Sequence, residues 1–176
     1  MVRTGKDEEF GVDFEAWPYA GHAGECFAWA DQNGDGLVQD SEMTFGSPQV
    51  DGKQVRLTAG YWGTYPDPEG TVPFEMPGAN VILKFPIKDY TACGAPIYAV
   101  GDPEIVRLKS DVKGRNGNAL MGGSKGNVYL NQSPLTAIAK DGRIAGTYPS
   151  RHVSVHGSHT AMAAKPGYLI GPSSFL

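Results

Sequence analysis

Glycine or proline interrupts this chain about once in every five positions, with 24 glycines and 13 prolines among 176 residues. Proline in a helix interior costs about 3 kcal/mol and glycine about 1 kcal/mol, so helices of three turns find little room here. An apolar share of 40% is still enough to bury a core, which argues against a disordered chain. No apolar run approaches the roughly 20 residues that a membrane-spanning helix needs. With 15 basic and 19 acidic residues the net charge is −4, so the basic surplus of an electrostatic nucleic-acid binder is missing. These limits predict an all-β chain rich in loops.

The strand rhythm is visible in places. Glu25 to Ala30 alternates, with Phe27 and Trp29 on one face and Cys26, Ala28 and Ala30 on the other. Gln54 to Thr58 alternates too. Asn80 to Ile87 is a more continuous apolar run, as a strand buried on both faces would be, and Pro96 to Val100 follows a Cys-Gly-Ala turn. Helix is expected at most over 42–46 and over 102–113, the second with Asp102 as N-cap and Pro103 in the first turn. The clearest unit is 126–148. Strands at 126–130, 135–139 and 143–148 are joined by a break at Gln132-Ser-Pro134 and by a turn at Asp141-Gly142, where glycine accepts positive φ. Such a meander cannot bury both faces by itself and calls for stacked neighbours.

One stretch carries metal chemistry. Asp31-Gln-Asn-Gly-Asp-Gly-Leu-Val-Gln-Asp-Ser-Glu42 satisfies D-x-[DN]-x-[DN]-G-x5-E at every specified position. Calcium is a hard cation that takes six to eight oxygens. Asp31, Asn33 and Asp35 would supply side-chain oxygens from alternate positions. Gly36 permits the turn that brings the Leu37 carbonyl onto the ion, Gln39 approaches directly or through water, and Glu42 closes the site with two oxygens. Over 31–42 the chain therefore resembles the EF-hand calcium loops. Flanking helices are short at best, since Gly21, Gly24, Gly46 and Pro48 limit them, and there is no second loop. An isolated structural Ca²⁺ loop at the end of a strand fits better than a calcium sensor.

Residues 126–149, reading Gly-Asn-Val-Tyr-Leu, then Ala-Lys-Asp-Gly-Arg, then Thr-Tyr-Pro, resemble a blade of quinoprotein-like or NHL-type β-propellers. The wider order, with Trp29 to Gln39, Tyr61-Trp62-Gly63 and His156-Gly-Ser-His159, is similar to large exported bacterial propeller proteins. That resemblance implies about three blades of a partial β-propeller over 25–176, preceded by a charged lead-in over 1–24. It further implies export to the periplasm or extracellular space, and a binding or scaffold role alongside other blades or domains of a longer protein. It carries over no catalytic residue. The first nine residues lack the apolar core of a secretory signal, and the apolar end at Phe175-Leu176 suggests a piece of something longer with a free strand edge.

Other features read more plainly. His152, His156 and His159 form the one histidine cluster and would make a zinc or copper centre if this were a metalloenzyme. A loop of backbone-bonded histidines is the simpler reading. Gly122-Gly-Ser-Lys-Gly126 lacks the order of a phosphate loop and reads as a turn between strands. Asp67-Pro-Glu69 reads as a solvated turn. Cys26 and Cys93 read as two buried thiols, with a disulfide as the alternative, and the tryptophans and tyrosines as core or half-buried strand residues. A calcium-stabilised, carbohydrate-binding β-sandwich is a further alternative, and would require aromatic side chains on one exposed face.

Overall fold

The computed structural model describes residues 6–7, 12–13, 21–55, 57, 64–76, 79–110, 120–130, 135–148, 163–165 and 168–170. Among them the protein is all-β and largely antiparallel, with helical structure confined to short 3₁₀ turns. Two compact units divide the chain: residues 1–56 with 87–103, and residues 57–86 with 104–176.

The first unit is a set of two-stranded hairpins. They pair β1 (Lys6–Asp7) with β2 (Val12–Asp13), β3 (Cys26–Trp29) with β4 (Met43–Gly46), and β5 (Gln49–Val50) with β6 (Lys53–Gln54). Residues 42–46, expected as a helical turn, instead form a 3₁₀ turn at Asp40–Glu42 and then β4. The β-branched and aromatic pair Thr44 and Phe45 suits a strand, and β3 offers four partners, from Cys26↔Gly46 to Trp29↔Met43. Of the alternating run 54–58, only Gln54 joins a strand among the described residues.

The second unit begins with β7 (Thr64–Tyr65), β8 (Val72–Met76) and β9 (Val81–Phe85). Pro86 ends β9, and the chain returns to the first unit for β10 (Ile87–Tyr90) and β11 (Pro96–Tyr98), an antiparallel hairpin with a register shift between Ile87 and Asp89. Then come β12 (Glu104–Arg107), β13 (Leu120–Gly122), β14 (Val128–Leu130), β15 (Leu135–Ile138), β16 (Ile144–Tyr148), β17 (Ala163–Lys165) and β18 (Tyr168–Ile170). The segment expected as a helix after Asp102 is β12. Its adjacent β-branched residues Ile105 and Val106 suit a strand, and β9 offers a ladder from Glu104↔Lys84 to Arg107↔Val81. Tertiary pairing overrides a weak helix-start signal there.

Two sheets hold this unit together: β12-β9-β8, and β16-β15-β14-β13-β7, in which only β7 runs parallel to its neighbour. Ile82, Val106 and Leu108 meet Leu120, Val128, Leu130 and Ile138 in one buried cluster, so the sheets share a core. Each such side chain contributes about 1.5–3 kcal/mol by leaving water. β9 is buried at every position, Lys84 included, as its largely apolar run predicts, and Phe74 sits edge-on to Phe85 with ring centroids 5.7 Å apart. The meander of β14, β15 and β16 follows the boundaries read from the sequence closely.

The turn between β15 and β16 depends on glycine for two reasons. Gly142 has φ +83°, and a Cβ built on it would lie 1.8 Å from the Arg107 carbonyl oxygen. Its own carbonyl accepts the Lys109 N–H at 3.0 Å. The 122–126 segment is the connection between β13 and β14, as expected of a turn. Asp67 is a correction, because its side chain is buried rather than solvated. Its Oδ1 accepts the Glu69 and Thr71 amides at 3.0 and 2.7 Å, which holds a tight turn beside Gly122.

Candidate calcium loop

Residues 30–42 close the hairpin of β3 and β4, since Trp29 and Met43 are its last pair. The loop is fastened at its base by Ala30 N–H donating to the Glu42 carbonyl at 3.2 Å. Gly34 and Gly36 take φ of +81° and +71°, the left-handed conformation that lets the chain double back.

The polar side chains fold into the loop. Asp31 Oδ1 accepts the Gly34 N–H at 2.6 Å, and Oδ2 the Gly36 N–H at 3.0 Å. Asn33 Oδ1 accepts the Asp35 N–H at 2.9 Å, and Asp35 Oδ1 the Leu37 N–H at 2.7 Å. Asp35 Oδ2 also receives the side-chain amides of Asn33 and Gln39, at 3.0 and 2.7 Å. Asn33, Asp35 and Gln39 are thus joined directly, while the Leu37 side chain is exposed. Glu42 is only 3% exposed. Its Oε2 accepts the Trp29 indole N–H at 2.9 Å, and its Oε1 the Gln32 N–H at 2.8 Å.

This donor set suits a hard cation. Four carboxylates, at Asp31, Asp35, Asp40 and Glu42, fall within twelve residues that contain no basic side chain. A carboxylate oxygen that accepts one N–H keeps a lone pair for a second partner. Among the described residues, no three His, Cys, Asp or Glu side chains stand close enough to hold one ion. Asp31, Asp35 and Glu42 are therefore separate groups that an ion would have to draw together, displacing the Asn33 and Gln39 amides from Asp35.

Two contacts of this loop are missed by motif reasoning. Trp29 anchors Glu42, although a tryptophan two positions ahead of the loop is a signal that could have been used. Cys93, 62 positions from Asp31, donates its thiol to the Asp31 carbonyl at 2.9 Å. It sits on the turn between β10 and β11, where it also meets Thr91 Oγ1 at 3.1 Å. Its Cβ lies 3.5 Å from where Gly34 would carry one. Both cysteines are free thiols, and Cys93 is exposed rather than buried because its turn is held by Thr91 and not by a core.

On the face of β3 and β4 that holds Trp29, the register pairs Phe27 with Phe45. Phe27 is 47% and Trp29 38% exposed, so these are not core aromatics. The His22 ring stacks on Phe45 at 3.6 Å, and His22 Nδ1 meets Glu25 Oε2 at 2.9 Å. His152, His156 and His159 lie outside the described residues, as do Trp17, Tyr61-Trp62-Gly63 and Phe175-Leu176. Comparison of the chain with protein-family models, with curated proteins and with solved structures found no match to any of them.

Proposed function

We propose that this chain is a calcium-stabilised β segment with a structural, binding or scaffold role in an exported protein, and that its sheets belong to a partial β-propeller. The observation that carries the reading is the 31–42 loop. Asp31, Asn33, Asp35 and Gln39 turn inward, Glu42 is tied to the strand base through Trp29, and no base within the loop offsets four carboxylates. Calcium would hold Asp31, Asn33, Asp35, the Leu37 carbonyl, Gln39 and Glu42, neutralise their repulsion, and lock the hairpin. An ion that binds only the folded state adds about 2.7 kcal/mol at a hundredfold excess over Kd. The test is thermal unfolding in excess EGTA and then in millimolar Ca²⁺, with Mg²⁺ and Zn²⁺ as controls. A rise specific to Ca²⁺ is expected, and equal curves in EGTA and Ca²⁺ reject the reading.

The exposed Phe27 and Trp29 favour a second reading, carbohydrate binding, because apolar ring faces stack on sugar rings. Retardation in polysaccharide affinity gels that is lost in Trp29→Ala would support it.

A further inference from the structure

The Asn33-Gly34 step of the loop is arranged for covalent chemistry of its own. Both residues are exposed, and Gly34 has no side chain to shield its peptide nitrogen. The Asn33 side chain folds forward along the chain, with Oδ1 accepting the Asp35 N–H at 2.9 Å and Nδ2 donating to Asp35 Oδ2 at 3.0 Å. Its carboxamide carbon is thereby held beside the intervening Gly34 peptide. The Gly34 N–H donates to Asp31 Oδ1 at 2.6 Å, a short, charge-assisted contact. A general base must stand within about 2.6–3.2 Å of the group whose proton it removes, and Asp31 does so at Gly34.

We propose that Asn33 is a site of self-catalysed deamidation, in which the Gly34 nitrogen attacks the Asn33 carboxamide with Asp31 as the base. The bond from Gly34 N to Asn33 Cγ forms and the Cγ–Nδ2 bond breaks. Asp31 takes the Gly34 proton, which returns through solvent to the departing group, and that group leaves as ammonia. Water then opens the cyclic imide on either side. Cleavage between Gly34 N and Cγ leaves aspartate at position 33. Cleavage at the main-chain carbonyl of residue 33 leaves isoaspartate, in which the chain runs through Cβ and Cγ.

The two products act differently on the loop. Aspartate at 33 still satisfies the oxygen pattern, whereas isoaspartate adds a main-chain carbon between Asp31 and Asp35. The Asp31 carboxylate, which spans the Gly34 and Gly36 amides, then loses its register with them. Calcium would occupy the oxygens of Asp31 and Asn33 and so withdraw both the base and the reacting amide. That protection rests on the calcium reading; the deamidation itself does not.

The test ages the whole chain in EGTA and follows the Asn33 peptide by mass spectrometry, for the mass gained when –NH₂ becomes –OH and for isoaspartate. The chain's other Asn-Gly pair, Asn116-Gly117, lies outside the described residues and falls in a separate tryptic peptide. Asn33 should react faster in the folded chain than in guanidinium chloride, which frees Asp31 from Gly34. Asp31→Asn should slow the reaction at least about tenfold. It should also replace a rate nearly flat from mildly acidic to neutral pH by one that follows hydroxide, a change that loss of a merely structural contact would not produce. If Asp31→Asn does not fold, the comparison with guanidinium decides. Ca²⁺ should slow the reaction. A Tm raised by Ca²⁺ with an unchanged rate overturns the role of Asp31, whereas no effect of Ca²⁺ on either rejects the calcium reading and leaves the EGTA rates to decide the site. Reaction at Asn33 no faster folded than unfolded, or equally fast in Asp31→Asn, overturns the proposal.

Discussion

Glu42→Gln tests the link between the loop and the strands beneath it. The native carboxylate accepts two N–H groups, from the Trp29 indole and the Gln32 backbone, at a position almost shielded from solvent. Glutamine keeps the shape but has one oxygen, so its amide must face one of those two donors. Leaving a buried donor unsatisfied costs about 1–3 kcal/mol, and the remaining hydrogen bond loses its charge assistance. A total of about 2–4 kcal/mol corresponds to a fall in Tm of about 4–16 °C for a chain of this size. That fall belongs to the calcium-free protein, and circular dichroism melts of wild type and variant in EGTA read it directly. In millimolar Ca²⁺ the gap should widen, because the variant also loses the increment that the ion gives the wild type. A variant that melts within about 2 °C of wild type in EGTA refutes the tertiary role assigned to Glu42. One that keeps the full Ca²⁺ increment refutes its role as a ligand.

Three other outcomes are expected. Gly142→Ala should cost about 2–4 kcal/mol by urea denaturation, through its left-handed φ and its collision with the Arg107 carbonyl, whereas Gly146→Ala, which meets nothing within 4 Å, should change little. Asp67→Ala should cost about 1–3 kcal/mol by removing the buried carboxylate that the Glu69 and Thr71 amides bond, equally in EGTA and in Ca²⁺, so a calcium-dependent loss would break the contrast with the 31–42 loop. The Arg143 amide and guanidinium hold the Asp141 carboxyl below its ordinary value of 3.8. Its contribution is therefore present above that value and lost as the pH falls through the lower folded-state value, so the stabilities of wild type and Asp141→Asn should converge there; curves parallel down to pH 2 would contradict this.

The sequence was most legible where chemistry is local. Turn glycines, the alternation of the meander and the largely apolar run of β9 are written in neighbouring residues, because positive φ and the two-residue strand period act over a few positions. The oxygen spacing of the 31–42 loop is local in the same way. Where reading failed, a distant partner decided. Glu104–Arg107 became a strand because β9 offered a ladder, and Asp67 was buried because its own turn packed beside Gly122. Cys93 came to rest on Asp31, and Lys84 on Gly126, across 62 and 42 positions of chain. A sequence pattern records which groups a segment can offer. Which groups they meet follows from sheet pairing and core closure, whose energies are summed over contacts between residues far apart in the chain. The all-β class and the carboxylate spacing of the 31–42 loop were therefore legible in the sequence alone, and the partners of Glu42, Cys93, Asp67 and Lys84 only in the tertiary structure.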